Sequence, residues 1–157
     1  MKIGVISDSH GMIDNVEKAL MSMGEIDLLI HLGDHCKDIK KVEALTATEI
    51  VTVRGNCDGT GESKDEVVLE AAGHKLLLAH GHQFGVKEDI NRLHYRALEL
   101  NCDIALFGHT HIPLNIHWEG VLLMNPGSVS LPKGSSKASC GIIRIEGDKV
   151  DTQILNI

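Results

Sequence analysis

The chain predicts an α/β fold in which two sheets pack face to face and helices cover the outside. Three observations carry that expectation. The first third alternates strand-like and helix-like segments in the order β-α-β-α-β. From Leu114 onward only strand-like segments occur. Along the chain before that point, five short polar segments each follow a run that reads as a buried strand, and helices beside parallel strands need a sheet to cover.

Taken in order, Lys2–Ser7 alternates and then runs apolar through Ile3, Val5 and Ile6, which reads as a strand. Ile13, Val16, Leu20 and Met23 recur at helical spacing, and Gly24 supplies a stop. Asp27–Leu32 is a short apolar run of the kind a central parallel strand shows. Ile39, Val42 and Leu45 mark a short second helix, and Glu49–Val53 a third strand. Such an order implies parallel pairing through right-handed crossovers. Gly59–Lys64 is a polar loop. Asp65–Ala71 and His74–Ala79 form a hairpin turned at Ala72-Gly73. Val86, Ile90, Leu93, Ala97 and Leu100 define an amphipathic helix, and Asp103–Phe107 a buried strand. Leu114–Trp118, Val121–Met124, Ala138–Ile145 and Val150–Leu155 follow as strands, with turns at Glu119-Gly120 and Gly147-Asp148. Pro132–Lys137 is the loop most open to motion.

With 157 residues, the expected organisation is a single domain over 1–157. A chain of that length buries about 68–70% of its unfolded surface and needs no staples. No segment approaches the roughly 18 apolar residues of a membrane span. Met1 leads straight into a strand without a signal peptide, so the expected location is the cytoplasm. Fifteen basic residues against 22 acidic ones give a formal charge of -7. Beyond Lys40-Lys41 there is no basic cluster, which excludes a strong nucleic-acid footprint. A small anionic substrate stays open, because bound divalent ions supply positive charge locally. None of the four cysteines forms a C-x-x-C pair, and Cys102 and Cys140 read as small buried hydrophobes.

The five polar segments are Asp8-Ser9-His10, Gly33-Asp34, Gly55-Asn56-Cys57-Asp58, His80-Gly81-His82 and Gly108-His109-Thr110-His111. Each lies at a carboxyl end of a strand, where open α/β sheets place ligands. Asp8 and His10 are two apart, so an extended chain would aim both the same way. Imidazole, carboxylate and amide oxygen together suit two closely spaced divalent ions, an arrangement common in hydrolysis. Taken singly, Asp8 reads as a helix cap, Asp34 and Asn56 as turn residues, and each histidine as a hydrogen-bonded core residue. Five segments in sequence make convergence the better reading. Of the other histidines, His31 is expected buried behind the centre and His35 at its rim. His74, His94 and His117 are expected on the surface or in turns, and Trp118 in the core or at an interface.

Those segments, in that order and over most of the chain, resemble the calcineurin-like metallophosphoesterase superfamily. The short length and the cysteine in G-N-C-D resemble its small prokaryotic phosphodiesterase branch, and Asn125-Pro126-Gly127-Ser128 is similar to that branch's late turn near the site. The resemblance implies a two-sheet β-sandwich flanked by helices and a binuclear phosphodiesterase. One ion would be held by Asp8, His10 and His111, a second by Asn56, His80 and His109, with Asp34 bridging them. A shared water, made hydroxide, would attack a phosphodiester. Manganese is the expected metal, with nickel, iron or zinc as the other options. Cys57 stands where many members carry histidine as an aid to the leaving group, which implies a preference for diesters with good leaving groups over alkyl monoesters. Asp58 and His82 are expected just outside the ligands, Asp58 accepting from a metal-bound imidazole. A retromer subunit of similar size has a degraded metal site and acts by interaction, so a scaffold on this fold is the alternative. The metallo-β-lactamase pattern H-x-H-x-D-H is absent. The expected partner is a small phosphoester, and small open sandwiches of this kind often pair into homo-oligomers.

Overall fold

The structure is a computed structural model and describes every residue except Ala44, Leu45, Ala47 and Glu62. In chain order the elements are β1 (Lys2–Ile6), α1 (Ile13–Met23), β2 (Leu28–His31), α2 (Lys37–Val42), β3 (Glu49–Thr52), β4 (Glu66–Ala71), β5 (His74–Ala79), α3 (Asn91–Glu99), β6 (Ile104–Leu106), β7 (Leu114–Trp118), β8 (Val121–Asn125), β9 (Ser139–Glu146) and β10 (Lys149–Asn156). They build two five-stranded sheets, ordered β10-β9-β1-β2-β3 and β4-β5-β6-β8-β7. β1, β2 and β3 are parallel, as are β5, β6 and β8, and antiparallel strands complete both sheets.

Packing follows from the burial pattern. The facing sheets enclose a core of Ile3, Val5, Ile30, Leu76, Leu78, Leu106, Met124 and Ile143, all at or near zero exposure. The outer face of the first sheet buries Ile6, Leu29 and Ile142 under α1 and α2 through Val16, Ala19, Met23 and Ile39. The outer face of the second buries Leu77, Ala105 and Leu123 under α3 through Leu93 and Ala97. Every residue of β2 and β6 is therefore apolar or fully buried, as expected for strands covered on both faces. Truncating a side chain of the core between the sheets, Leu78→Ala in β5 for instance, removes about 2–5 kcal/mol of stability.

The helix expected from Val86 begins only at Asn91. Gly85 adopts a left-handed φ of 67°, and Glu88 and Asp89 close turns back onto its carbonyl. The Asp89 carboxylate then accepts the Asn91 N–H at 2.9 Å, so the chain enters the helix at this point. Val86 still packs in the core, but from a turn. Leu45, the last mark of the expected second helix, lies outside the described residues. His94 corrects another expectation: it is fully buried, its ring stacked on Trp118 at 4.4 Å and Nε2 against the Trp118 carbonyl at 3.1 Å. One helical turn after Ile90, it faces the sheet. His74 is only partly exposed and is paired with Asp103, whereas His117 is exposed.

The sandwich has two unlike ends. The two-residue turns Ala72-Gly73, Glu119-Gly120 and Gly147-Asp148 all lie at the amino ends of the parallel strands. The five polar segments lie at the opposite, carboxyl end.

Candidate metal centre

Loops leaving β1, β2, β3, β5 and β6 meet at that carboxyl end and are tied together by their main chains. The Asp8 N–H donates to the Gly33 carbonyl at 3.0 Å, and the Gly108 N–H to the His80 carbonyl at 3.0 Å. Glycine is required where these loops touch. A Cβ on Gly55 would overlap the Asp34 carboxylate and N–H, and one on Gly108 would overlap the Ser7 hydroxyl.

Asp8, His10, Asp34, His35, His109 and His111 all have positive φ, between 46° and 70°. The expectation that extended alternation aims Asp8 and His10 together is thus corrected. Left-handed residues end the strands abruptly, and the loops turn the side chains inward. Such a conformation costs roughly 1–3 kcal/mol per non-glycine residue and persists only where its surroundings over-determine it.

Two groups of ligating atoms result. In the first, Asp8 Oδ1 lies 3.1 Å from His111 Nε2 and 3.9 Å from His10 Nε2, and the two imidazole nitrogens are 3.4 Å apart. Asp8, His10, Asp34 and His111 bring one ligand atom each to within 4.8 Å of one another. In the second, His80 Nε2 lies 3.2 Å from Asn56 Oδ1 and 3.2 Å from His109 Nδ1. Asp34 stands between: Oδ2 is 3.7 Å from His10 Nε2, and Oδ1 is 3.5 Å from His80 Nε2. All seven sequence-predicted ligand positions are therefore gathered in one place.

These residues fit a cation. A carbonyl only accepts, so the bonds from His80 Nδ1 to Leu32 O (2.7 Å) and from His111 Nδ1 to Leu131 O (2.6 Å) put the ring proton on Nδ1. Nε2 of each ring then points a lone pair inward, as metal-binding imidazoles do. Asp8 Oδ1 is buried and receives no hydrogen bond, while Oδ2 is held by Ser7 Oγ at 2.5 Å and the His109 N–H at 3.1 Å. A buried carboxylate oxygen facing imidazole lone pairs is costly until a positive charge arrives.

Asp8 and His111 favour a positive charge between them, be it a proton or an ion. Burial alone would raise the Asp8 carboxyl, but His111, His80 and Ser7 outweigh it and hold the group below its ordinary value. The contact with Asp8 raises His111 against its own burial. Burial lowers His10, and burial with the neighbouring His80 and Lys87 lowers His109 to about 4, which keeps that ring neutral and ligand-ready. Cys57 is exposed; the desolvation it does experience and the Asp34 carboxylate push its thiol up to about 11, so it stays protonated at neutral pH.

Support comes from a buried layer. The Gly33 N–H donates to His31 Nδ1 at 3.2 Å, which leaves the His31 proton on Nε2, facing Ser9 Oγ at 3.1 Å. Ser9 Oγ donates in turn to Asp38 Oδ2 at 2.7 Å, and the Gly11 N–H donates to the same oxygen. This chain clamps the β1 exit to the β2 exit. His31, fully buried, is lowered to about 4, desolvation being the main cause. Asp58 corrects its expected role: it grips no imidazole but accepts the N–H groups of Asp34, Cys36 and Gly55 at 2.8–2.9 Å, binding the β2 exit to the β3 exit. His80 has no need of it, because Leu32 already takes its proton. His82 stands at the rim, its ring 5.4 Å from that of His80, and His35 is exposed, 5.5 Å from His10. Sequence reasoning missed Ser7, Ser9, Asp38 and the detailed role of the late turn. Asn125 Nδ2 donates to the Gly108 carbonyl at 2.8 Å, and Ser128 Oγ to the Asp8 carbonyl at 2.8 Å. The Asn-Pro-Gly-Ser turn was the one signal pointing there.

Fold and centre together define a class: a helix-flanked double sheet with a candidate divalent-ion site at its strand exits. The chain belongs to the calcineurin-like phosphoesterase superfamily, whose domain model matches residues 1–148. It is 39% identical over 149 residues to the probable metallophosphoesterase YsnB of Bacillus subtilis, covering 94% of this chain and 86% of YsnB. It is 31% identical over 169 residues to phosphodiesterase YfcE of Escherichia coli, covering 91% of this chain and 87% of YfcE. The YfcE structure, that of a phosphoesterase, matches with a TM-score of 0.73 at 28% identity, over 92% of this chain and 88% of YfcE. Vacuolar protein sorting 29 from Cryptosporidium parvum matches with a TM-score of 0.84 at 21% identity, over 99% of this chain and 91% of that one, a likeness of fold alone. Family and ligand cluster together support a phosphoesterase-type hydrolase and imply the use of divalent metal.

Proposed function

We propose that the protein is a binuclear phosphodiesterase. The observation that carries this is the divided Asp34 carboxylate, with one oxygen toward His10 and the other toward His80. Asp8, His10 and His111 would hold one ion, Asn56, His80 and His109 the other, and Asp34 both. Divalent ions bound there supply Lewis acidity, lowering the pKa of a water and offsetting charge on the phosphoryl oxygens. The chain's own residues do the rest. Leu32 and Leu131 orient the rings, Asp8 and Asp34 balance the added charge, and the buried His31–Ser9–Asp38 chain holds the exits in register. A ligand set of oxygen and nitrogen without thiolate favours manganese over softer metals. A protonated Cys57 offers neither the charge nor the ready proton of an imidazolium, so diesters with good leaving groups are the preferred substrates. The reading takes a small phosphoester as substrate and the cytoplasm as the place of action.

The test is hydrolysis of bis(4-nitrophenyl) phosphate by protein stripped with chelator and then reloaded, with elemental analysis alongside. Activity that disappears on stripping and returns with about two manganese ions per chain supports the reading. Full turnover without metal sinks it. The likeness to vacuolar protein sorting 29 admits a non-catalytic scaffold as the alternative. Metal-loaded protein inert toward mono- and diesters across a broad panel would favour that role.

A further inference from the structure

A second feature adjoins the centre. A cleft of about 410 Å³ opens beside the Gly108–His111 loop, walled by Val86, Ile90, Phe107 and Ile112, with Lys87 and Lys133 at its edge. Thr110, between His109 and His111, belongs to the same wall. Its hydroxyl is already engaged with Asn125 Nδ2 at 3.1 Å and the Ile112 carbonyl at 3.1 Å, so this side of the cleft is apolar in effect.

We propose that this cleft receives an apolar, ring-sized ester substituent of the phosphodiester, while Lys87 and Lys133 draw the anionic phosphate toward the centre; this rests on the phosphodiesterase reading above. Volume, apolar walls and a few charged groups beside the reacting site are the ordinary makings of a small-molecule subsite. Continuity with the centre comes from Thr110 and from Lys133, whose N–H donates to the His111 carbonyl at 3.1 Å. Lys87 and Lys133 both line this cleft. Neither amine forms an ion pair with a carboxylate among the described residues. In a chain of formal charge -7, two cations left unpaired beside a phosphate site are matched to an anion. The larger cavity, about 1080 Å³, makes the opposite case: it lies at the far end of the strands and is edged by Glu17, Glu25, Asp27 and Glu49, which repel a phosphoester.

The experiment uses manganese-loaded protein and two non-hydrolysable probes, phenylphosphonate and methylphosphonate, with dissociation constants read by calorimetry. Phenylphosphonate should bind about tenfold more tightly than methylphosphonate, given the apolar area a ring can bury. Ile112→Asp should bring that ratio close to one, and because Ile112 is 48% exposed the substitution leaves the core untouched. Ile112→Ser, expected to lower the ratio less, guards against misfolding of the aspartate variant. Equal affinities in the parent protein, or a ratio that neither substitution moves, would overturn the subsite while leaving diester hydrolysis standing. Failure to hydrolyse bis(4-nitrophenyl) phosphate at all would overturn both readings.

Discussion

The two ends of the sandwich use one backbone conformation for different purposes. Among the described residues, nine non-glycine residues have positive φ. Ala72 and Glu119 turn hairpins at the amino end of the parallel strands, and Asn101 ends α3 there, its neighbour Cys102 donating back to the Ala97 carbonyl at 2.8 Å. Ala72 and Glu119 lie in two-residue turns that demand left-handed residues, and Asn101 lies at a helix end, where the same conformation stops the helix. Asp8, His10, Asp34, His35, His109 and His111 are at the other end, where nothing forces a hairpin. There the same dihedral region aims side chains inward, and main-chain ties, the Ser128 hydroxyl and the buried His31–Ser9–Asp38 chain hold it in place. A left-handed residue at the distal end is thus a folding device, and one at the proximal end is a positioning device.

Substitutions at the two ends should separate these roles. The largest effect is expected from Asp34→Asn, which keeps the shape but removes the charge between the two ligand groups. Its kcat/KM toward bis(4-nitrophenyl) phosphate should drop about 10³-fold with an unchanged circular dichroism spectrum, while Ala72→Gly at the far end should match the parent. Next, Ser9→Ala cuts the buried chain without touching a ligand atom. Manganese affinity, titrated directly, should weaken about 10–100-fold, and unaltered affinity would show that the chain is mere packing. Cys57→His should raise the ratio of monoester to diester turnover, and a constant or falling ratio would count against the leaving-group account of that position. At the distal end, Glu119→Asn creates an Asn-Gly hairpin turn and should add about 0.5–1 kcal/mol of stability in urea titration with no change in turnover. The smallest effect is at His74. Its pairing with Asp103 raises the imidazole pKa; on the other side Asp103, which burial alone would raise, is held low by His74 and the Lys75 N–H. The stabilisation is complete below the ordinary histidine value near 6.5 and is lost as pH rises through the raised one. At the acid side it is lost as pH falls through the lowered Asp103 value. The deficit of His74→Gln, about 0.2–1 kcal/mol for a partly screened pair, should therefore be larger in melts at pH 6 than at pH 9.

The sequence showed most of what lies along the chain and little of what lies across it. Leu114–Trp118 was readable from its alternation of apolar and polar residues, His74–Ala79 from a short apolar run after the Ala72-Gly73 turn, and the β-α-β order implied the parallel sheets. The gathering of Asp8, Asp34 and His80 was legible from repeated polar strand exits. Their means of support was not, since Ser128 meets Asp8 from 120 residues away and Ser9 meets Asp38 across 29. The start of α3 depended on one side-chain bond from Asp89, which an apolar period through Val86 overlooks. His94 looked polar and therefore superficial, yet stacking on Trp118 and the carbonyl of that residue accommodate it in the interior. Asp58 was placed near the right neighbours with the wrong partner, because nothing local indicates that Leu32 already serves His80.

At Gly55 and Gly108 the strand exits press directly on the Asp34 and Ser7 side chains with no room for a Cβ, and that contact has a consequence for redesign. Adding a side chain at either glycine would push a ligand-bearing loop aside, so the spacing across the centre tolerates little change there. Adapting this scaffold to larger ions would mean re-cutting whole loops, whereas a new leaving-group helper or a new recognition wall can be installed by single changes at the periphery. Variation during descent should follow the same division, with a rigid hub and a freely edited fringe.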